Sequence, residues 1–161
     1  MSPSSFNARK LTLAAMIAAI YTVLTLILAP ISYGEVQVRL SEALTLLPIL
    51  FPEAIPGVTL GCLLANIFGG AMLPDIVFGT LATFLAAVLT YRFRSNHWLA
   101  ASMPVLFNGL IVGAVVHFCY APGVALPLCM LFVAVGEAIS CYLAGTLLIQ
   151  VLRRTPLVSK K

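Results

Sequence analysis

The sequence predicts an all-α membrane protein, six transmembrane helices in a single integral membrane domain over residues 1–161, with both termini in the cytoplasm. Three observations predict it. The chain is 61% hydrophobic and 9% charged with a mean hydropathy of +1.09, which excludes an ordinary soluble fold. A bilayer span takes about 20 apolar residues, so six spans use roughly 120 positions and leave about 40 for loops and tails. Six passes also collect eight of the nine basic residues on one side.

The elements follow in chain order. Residues 11–29 carry no formal charge, follow Arg9 and Lys10, and are longer than the apolar core of a signal peptide, so they form a retained first helix. The apolar run that begins at Ser41 is interrupted by Pro52-Glu53-Ala54-Ile55-Pro56, which prevents one continuous helix and gives two short spans, 41–51 and 54–69. The first of these is short enough to be tilted or partly re-entrant. A fourth span covers 75–91, opened by Pro74-Asp75 as a cap and closed by Arg92-Phe93-Arg94. The fifth covers 99–119 with a kink near Pro104, and the sixth covers 128–152 after a loop rich in proline and glycine.

This count places Arg9, Lys10, Arg92, Arg94, Arg153, Arg154, Lys160 and Lys161 in the cytoplasm. Merging spans two and three would put Arg92 and Arg94 outside. The net charge of +4 is therefore a topology signal and not a nucleic-acid footprint. Arg39 is the exception among the bases. Of the acids, Glu35, Glu42, Asp75 and Glu137 fall in the outer half or at mid-depth, and Glu53 faces inward.

Cys62, Cys119, Cys129 and Cys141 lie in or beside apolar stretches without a CxxC pair or metal-ligand spacing, and read as small packing residues. There is no P-loop, nucleophile elbow or HExxH zinc motif, so the sequence predicts no catalytic residues, no metal and no cofactor. Transport against a gradient would have to borrow energy from a partner or an ion gradient.

Ala14 with Ala18, and Ala15 with Ala19, are interleaved small-xxx-small pairs that give the first helix a smooth face for close approach. Both internal packing and docking of another subunit would use such a face. Gly57 with Gly61, Gly109 with Gly113, and Ala82 with Ala86 repeat the pattern, there more simply as bundle packing.

An ionisable side chain at the bilayer centre costs roughly 2.5–3.5 kcal/mol on insertion scales and needs a partner or a task. Glu137 lies about 15 Å into the sixth helix, near mid-membrane. Asn108 lies at similar depth, and Asn66 in the outer half of the third span. Each amide can serve as interhelical glue or read a ligand edge. In the first external connection, Glu35, Gln37 and Arg39 alternate with Val36, Val38 and Leu40, the pattern of an extended, half-buried lid over a cavity, and Glu42 begins the next span. Asp75, His117 and Tyr120 read as interfacial residues on that side. Such a cavity suits a small polar, donor-rich solute.

The AAMIAA face, the run YGEVQVRLSEALTLLPILFPEAIPGVTLGCLLAN and the segment PDIVFGTLAT together resemble the QueT family over about residues 8–152, most strongly over 34–83. These are substrate-binding S components of energy-coupling factor (ECF) transporters. The resemblance implies an ECF S-component-like bundle in the cell membrane, docked on a transmembrane coupling subunit and two ATPases through the Ala14, Ala15, Ala18, Ala19 face. It also implies a queuosine precursor as substrate, a 7-deazaguanine such as preQ1 or preQ0. A carboxylate, Glu137 or Glu42, would accept from the guanine N1–H and amino group, and Asn108 or Asn66 would complete the readout. Arg39 would pair with Glu42 or donate to the base carbonyl, Tyr33 would stack on the ring, and Glu35 is counted with the substrate-binding residues. The alternatives are an S component for another vitamin-like solute and a stand-alone proton-coupled carrier using Glu137, although no inverted repeat is evident.

Overall fold

The computed structural model describes residues 8–29 and 39–155, and among them every regular element is helical. Six helical segments follow one another: α1 (Ala8–Ile27), α2 (Leu40–Ile49), α3 (Ala54–Phe68), α4 (Leu73–Arg92), α5 (His97–Tyr120) and α6 (Leu126–Arg153). The bounds lie within three residues of those expected. α1, α4, α5 and α6 are long and apolar enough to cross a membrane; α2 and α3 are shorter.

α2 differs from its expected form. It is a ten-residue 3-10 helix that contains Pro48. At about 2 Å rise per residue it reaches roughly 20 Å, farther than an α-helix of the same length. Nine of its ten residues are buried, and it touches all five other helices. The shortest helix is thus the central pillar of the bundle, covered by protein on every side.

Small residues set the spacing around that pillar. A Cβ on Gly57 would come within 2.8 Å of the Ala14 carbonyl oxygen, and one on Gly61 within 2.7 Å of Tyr21 Cβ, so α1 and α3 meet backbone to backbone. A Cβ on Gly113 would lie 2.6 Å from Met130 Cα, which fixes α5 against α6. Ala82 and Ala86 on α4 are fully buried. The glycine pairs and the α4 alanine pair therefore serve bundle packing, as the sequence suggests. Leu11, Met16, Ile20, Leu81, Phe84, Leu143 and Leu147 remain exposed, giving the bundle the apolar exterior that lipid solvates.

The α3–α4 turn is a Schellman motif. Ala71 N–H donates to the Asn66 carbonyl and Gly70 N–H to that of Ile67, with Gly70 at φ 71° in the left-handed region that glycine adopts without strain. Pro74 in the first turn of α4 suits a position where the missing N–H costs nothing. Asp75 does not cap this helix with its side chain, contrary to the expected role.

In α5 the widening to π-helix begins at Asn108, four residues after Pro104, and a second π-helical stretch covers Val116–Tyr120. The turn that precedes Pro104, where its ring crowds the backbone, stays α-helical over His97–Phe107. α6 widens over Ile139–Gly145, immediately after Glu137 and Ala138, where Ser140 Oγ donates back to the Gly136 carbonyl at 3.1 Å.

The bundle has two chemically distinct ends. Lys10 pairs with Glu53 at 3.4 Å, and Ile49, His97 and Arg153 line one pocket, so the start of α1, the end of α2, the start of α5 and the end of α6 share the basic end. Arg39, Met72, Asp75 and Tyr120 meet at the opposite end.

Candidate functional site

The opening turn of α2 brings a set of polar side chains into the bundle because its backbone is enclosed by the other helices. Glu42 is 1% exposed, and Tyr21 from α1 donates its hydroxyl proton to Glu42 Oε1. Thr25, one turn along α1, donates to Ser41 Oγ at 2.7 Å. These contacts tie α1 to α2 and fix where the carboxylate points.

Glu137 from α6 and Asn108 from α5 approach Glu42 from the other side, and both are almost fully buried. The Asn108 amide lies beside both carboxylates, close enough to interact with each, yet its Nδ2 is not in hydrogen-bond geometry with either. Cys141 bridges the pair more weakly, with Sγ 3.7 Å from the Glu42 carbonyl oxygen and 4.0 Å from Glu137 Oε2. Asn108 and Glu137 stand where α5 and α6 widen, and such widening is frequent at functional sites.

The rest of the polar region is built on α3 and α4. Arg39, immediately before α2, lies 3.6 Å from Asp75 Oδ2. Burial opposes the Arg39 charge, but its neighbours, Asp75 foremost and Glu42 among them, together more than offset it and hold the guanidinium protonated beyond its ordinary range. Tyr120 donates to Asp75 Oδ2 at 3.3 Å while accepting the Met72 N–H at 2.9 Å. Asn66 Nδ2 donates to the Asp75 carbonyl at 3.4 Å. Gly79 makes this approach possible, since a Cβ there would stand 3.0 Å from Asp75 Oδ1 and 3.3 Å from Asn66 Nδ2. His117 sits to one side, its Nδ1 2.7 Å from the Val124 carbonyl oxygen, and holds the α5–α6 loop.

A buried polar atom without a partner costs about 1–3 kcal/mol, so such atoms rarely accumulate without a reason. Here Glu42 Oε2, Asp75 Oδ1, Asn66 Oδ1 and Asn108 Nδ2 are all buried without a hydrogen-bond partner. Three are acceptors and one is a donor. The cluster is chemically suited to a small ligand that offers several N–H groups and at least one acceptor.

Of the residues expected from sequence, Arg39, Glu42, Asn66, Asn108 and Glu137 all lie in this buried polar region. Tyr33 and Glu35 lie outside the described residues. Three expectations change. Asp75 is no interfacial residue, at 1% exposure, because Arg39 and Tyr120 neutralise and bond it in the interior. Arg39 forms its ion pair with Asp75 in place of Glu42, whose Oε1 is taken by Tyr21. The alanine face of α1 is divided: Ala14 and Ala18 are buried against Gly57 and Gly61, leaving Ala15 and Ala19 exposed.

Sequence reasoning missed Tyr21, Thr25, Ser41, Cys62 and Cys141. Cys62 and Cys141 are buried as expected of packing residues, yet Cys62 Sγ also accepts from Thr83 at 3.3 Å and Asn66 at 3.6 Å. One available signal was register: Thr25 lies one helical turn from Tyr21, marking a polar stripe on an otherwise apolar helix.

A family model described as QueT transporter matches residues 11–154. The chain is 33% identical over 90 residues to the queuosine precursor transporter QueT of Lactococcus lactis subsp. cremoris (strain MG1363), a match covering 52% of this chain and 53% of the relative. The matched region thus spans about half the length of that curated relative. No solved structure matches the chain.

Proposed function

The chain belongs to the QueT transporter family, and from that premise we propose that it is the substrate-binding S component of an ECF importer. Its substrate is a queuosine precursor, a 7-deazaguanine such as preQ1 or preQ0, captured from outside. The chain crosses the membrane six times with both termini in the cytoplasm. The basic end faces the cytoplasm in accord with the positive-inside rule, and the Arg39–Asp75 end faces outward.

The observation that carries this reading is the set of unpartnered buried atoms, three acceptors and one donor, around Glu42, Asn66, Asp75 and Asn108. A guanine edge presents an N1–H and an amino group that one carboxylate accepts together, and a carbonyl that needs a donor. Glu42 and Glu137 take the donor edge, and the Asn108 amide serves the carbonyl. Asp75 and Asn66 offer acceptors for the substituent on the five-membered ring, including the ammonium of preQ1. Tyr33 and Glu35 belong to the lid over this site.

Docking on the coupling subunit, which works with two ATPases, uses the open part of the alanine face, Ala15 and Ala19. The test is mass spectrometry of small molecules that copurify with the protein from cells supplied with preQ0 and preQ1. Recovery of a 7-deazaguanine at near-stoichiometric yield is expected. Recovery of an unrelated vitamin in its place would overturn the substrate assignment.

A further inference from the structure

A cavity of about 270 Å³ opens at the basic end between α2, α5 and α6, away from Glu42. Its floor is apolar, with Leu46 and Ile149 almost fully buried, and its rim carries His97, Gln150 and Arg153. No Asp or Glu lines it among the described residues, and Arg153 lies close enough to His97 to act on it electrostatically. Arg153 faces the cavity with no carboxylate opposite it, which creates a local potential that favours an anion, and the His97 imidazole and Gln150 amide beside it can donate hydrogen bonds.

The surroundings choose the kind of anion. Trp98 lines the cavity, is 72% exposed, and stacks on Tyr142 with ring centroids 5.7 Å apart. Trp and Tyr concentrate at the boundary between hydrocarbon and headgroups. Leu143 and Leu147, on the neighbouring stretch of α6, are 68% and 61% exposed and present an apolar surface to an acyl chain. A free phosphate ion would use the rim but gain nothing from the apolar floor and the lipid-facing leucines.

We propose that this cavity binds the headgroup of an anionic phospholipid from the inner leaflet, its phosphate held by Arg153, His97 and Gln150. The acyl chains run along Trp98 and the exposed leucines of α6. Basic cavities between transmembrane helices are the expected receptors for such headgroups.

The test reconstitutes the full chain in nanodiscs of mixed phosphatidylglycerol and phosphatidylcholine and identifies the lipid retained on release by native mass spectrometry. The wild type is expected to retain phosphatidylglycerol preferentially. The pair Arg153→Gln with His97→Gln should lower that preference by about fivefold, through the lost Arg153 charge. Arg92→Gln with Arg94→Gln, a matched change elsewhere at the basic end, should leave it intact. Arg153→Lys keeps the charge and should keep the preference, which separates lost binding from lost folding. No preference in the wild type, or an equal loss in both double variants, would overturn the proposal. Displacement of the retained lipid by millimolar inorganic phosphate would show a free-anion site and overturn the lipid assignment.

Discussion

At the first turn of α2, Glu42 lies among side chains from α1, α5 and α6, sealed from solvent; toward the last turn, Leu46 and Ile49 floor a cavity with an open, cationic rim. One helix thus serves two environments. In the first, charge is held by specific partners in a dry interior, where each interaction is strong and each loss is costly. In the second, charge sits at the rim and is screened, so that its removal changes what binds there far more than whether the bundle folds. Stability and ligand recognition are coupled at the acidic end and separable at the basic one.

The largest break in that comparison should come from Arg39→Gln. It leaves Asp75 buried without its cation and should destabilise the protein by roughly 3–5 kcal/mol, with most of the loss recovered on adding Asp75→Asn. Arg153→Gln at the opposite end should change stability by no more than about 0.5 kcal/mol. Denaturant titration of the detergent-solubilised proteins measures both. Equal effects at the two ends would remove the distinction.

A smaller effect is expected from Gly61→Ala. The new Cβ meets Tyr21 Cβ at 2.7 Å and the Ala18 carbonyl oxygen at 3.0 Å, both held in place by the α1–α3 contact. Overpacking should cost about 1–3 kcal/mol and draw the Tyr21 hydroxyl away from Glu42, so ligand affinity falls along with stability. Gly123→Ala, in the α5–α6 loop with nothing within 4 Å of its Cβ, is the control and should be silent in thermal unfolding and in ligand titration. An unchanged Gly61→Ala protein would mean that α1 and α3 can separate without cost.

Much of the architecture was legible in the sequence, because hydropathy, proline placement and basic clusters mark where helices start and stop. The central position of α2 was not. In a soluble bundle, an apolar stripe reports which face turns inward, whereas in a membrane protein the lipid-facing and protein-facing sides of a helix are both apolar and hydropathy loses direction. Glu42, Asn66, Asn108 and Glu137 stood out because polar groups are costly at depth. Tyr21 and Cys141 did not, since each passes as an ordinary apolar filler until a neighbour on another helix supplies its hydrogen-bond partner. The Arg39–Asp75 pair was hidden for the same reason: the two residues lie on different elements, and only the packing of α2 against α4 brings them together.

The proposed reading of a deazaguanine edge by the buried carboxylates beside Asn108 is checked by titrating preQ1 into purified Glu42→Gln and Glu137→Gln proteins, with Arg153→Gln as reference. Each glutamine keeps the shape but replaces one accepting oxygen with an NH2 group that can only donate, and the affinity of both variants should fall by about tenfold to a hundredfold while the reference binds as wild type. Full affinity in both glutamine variants would contradict the account.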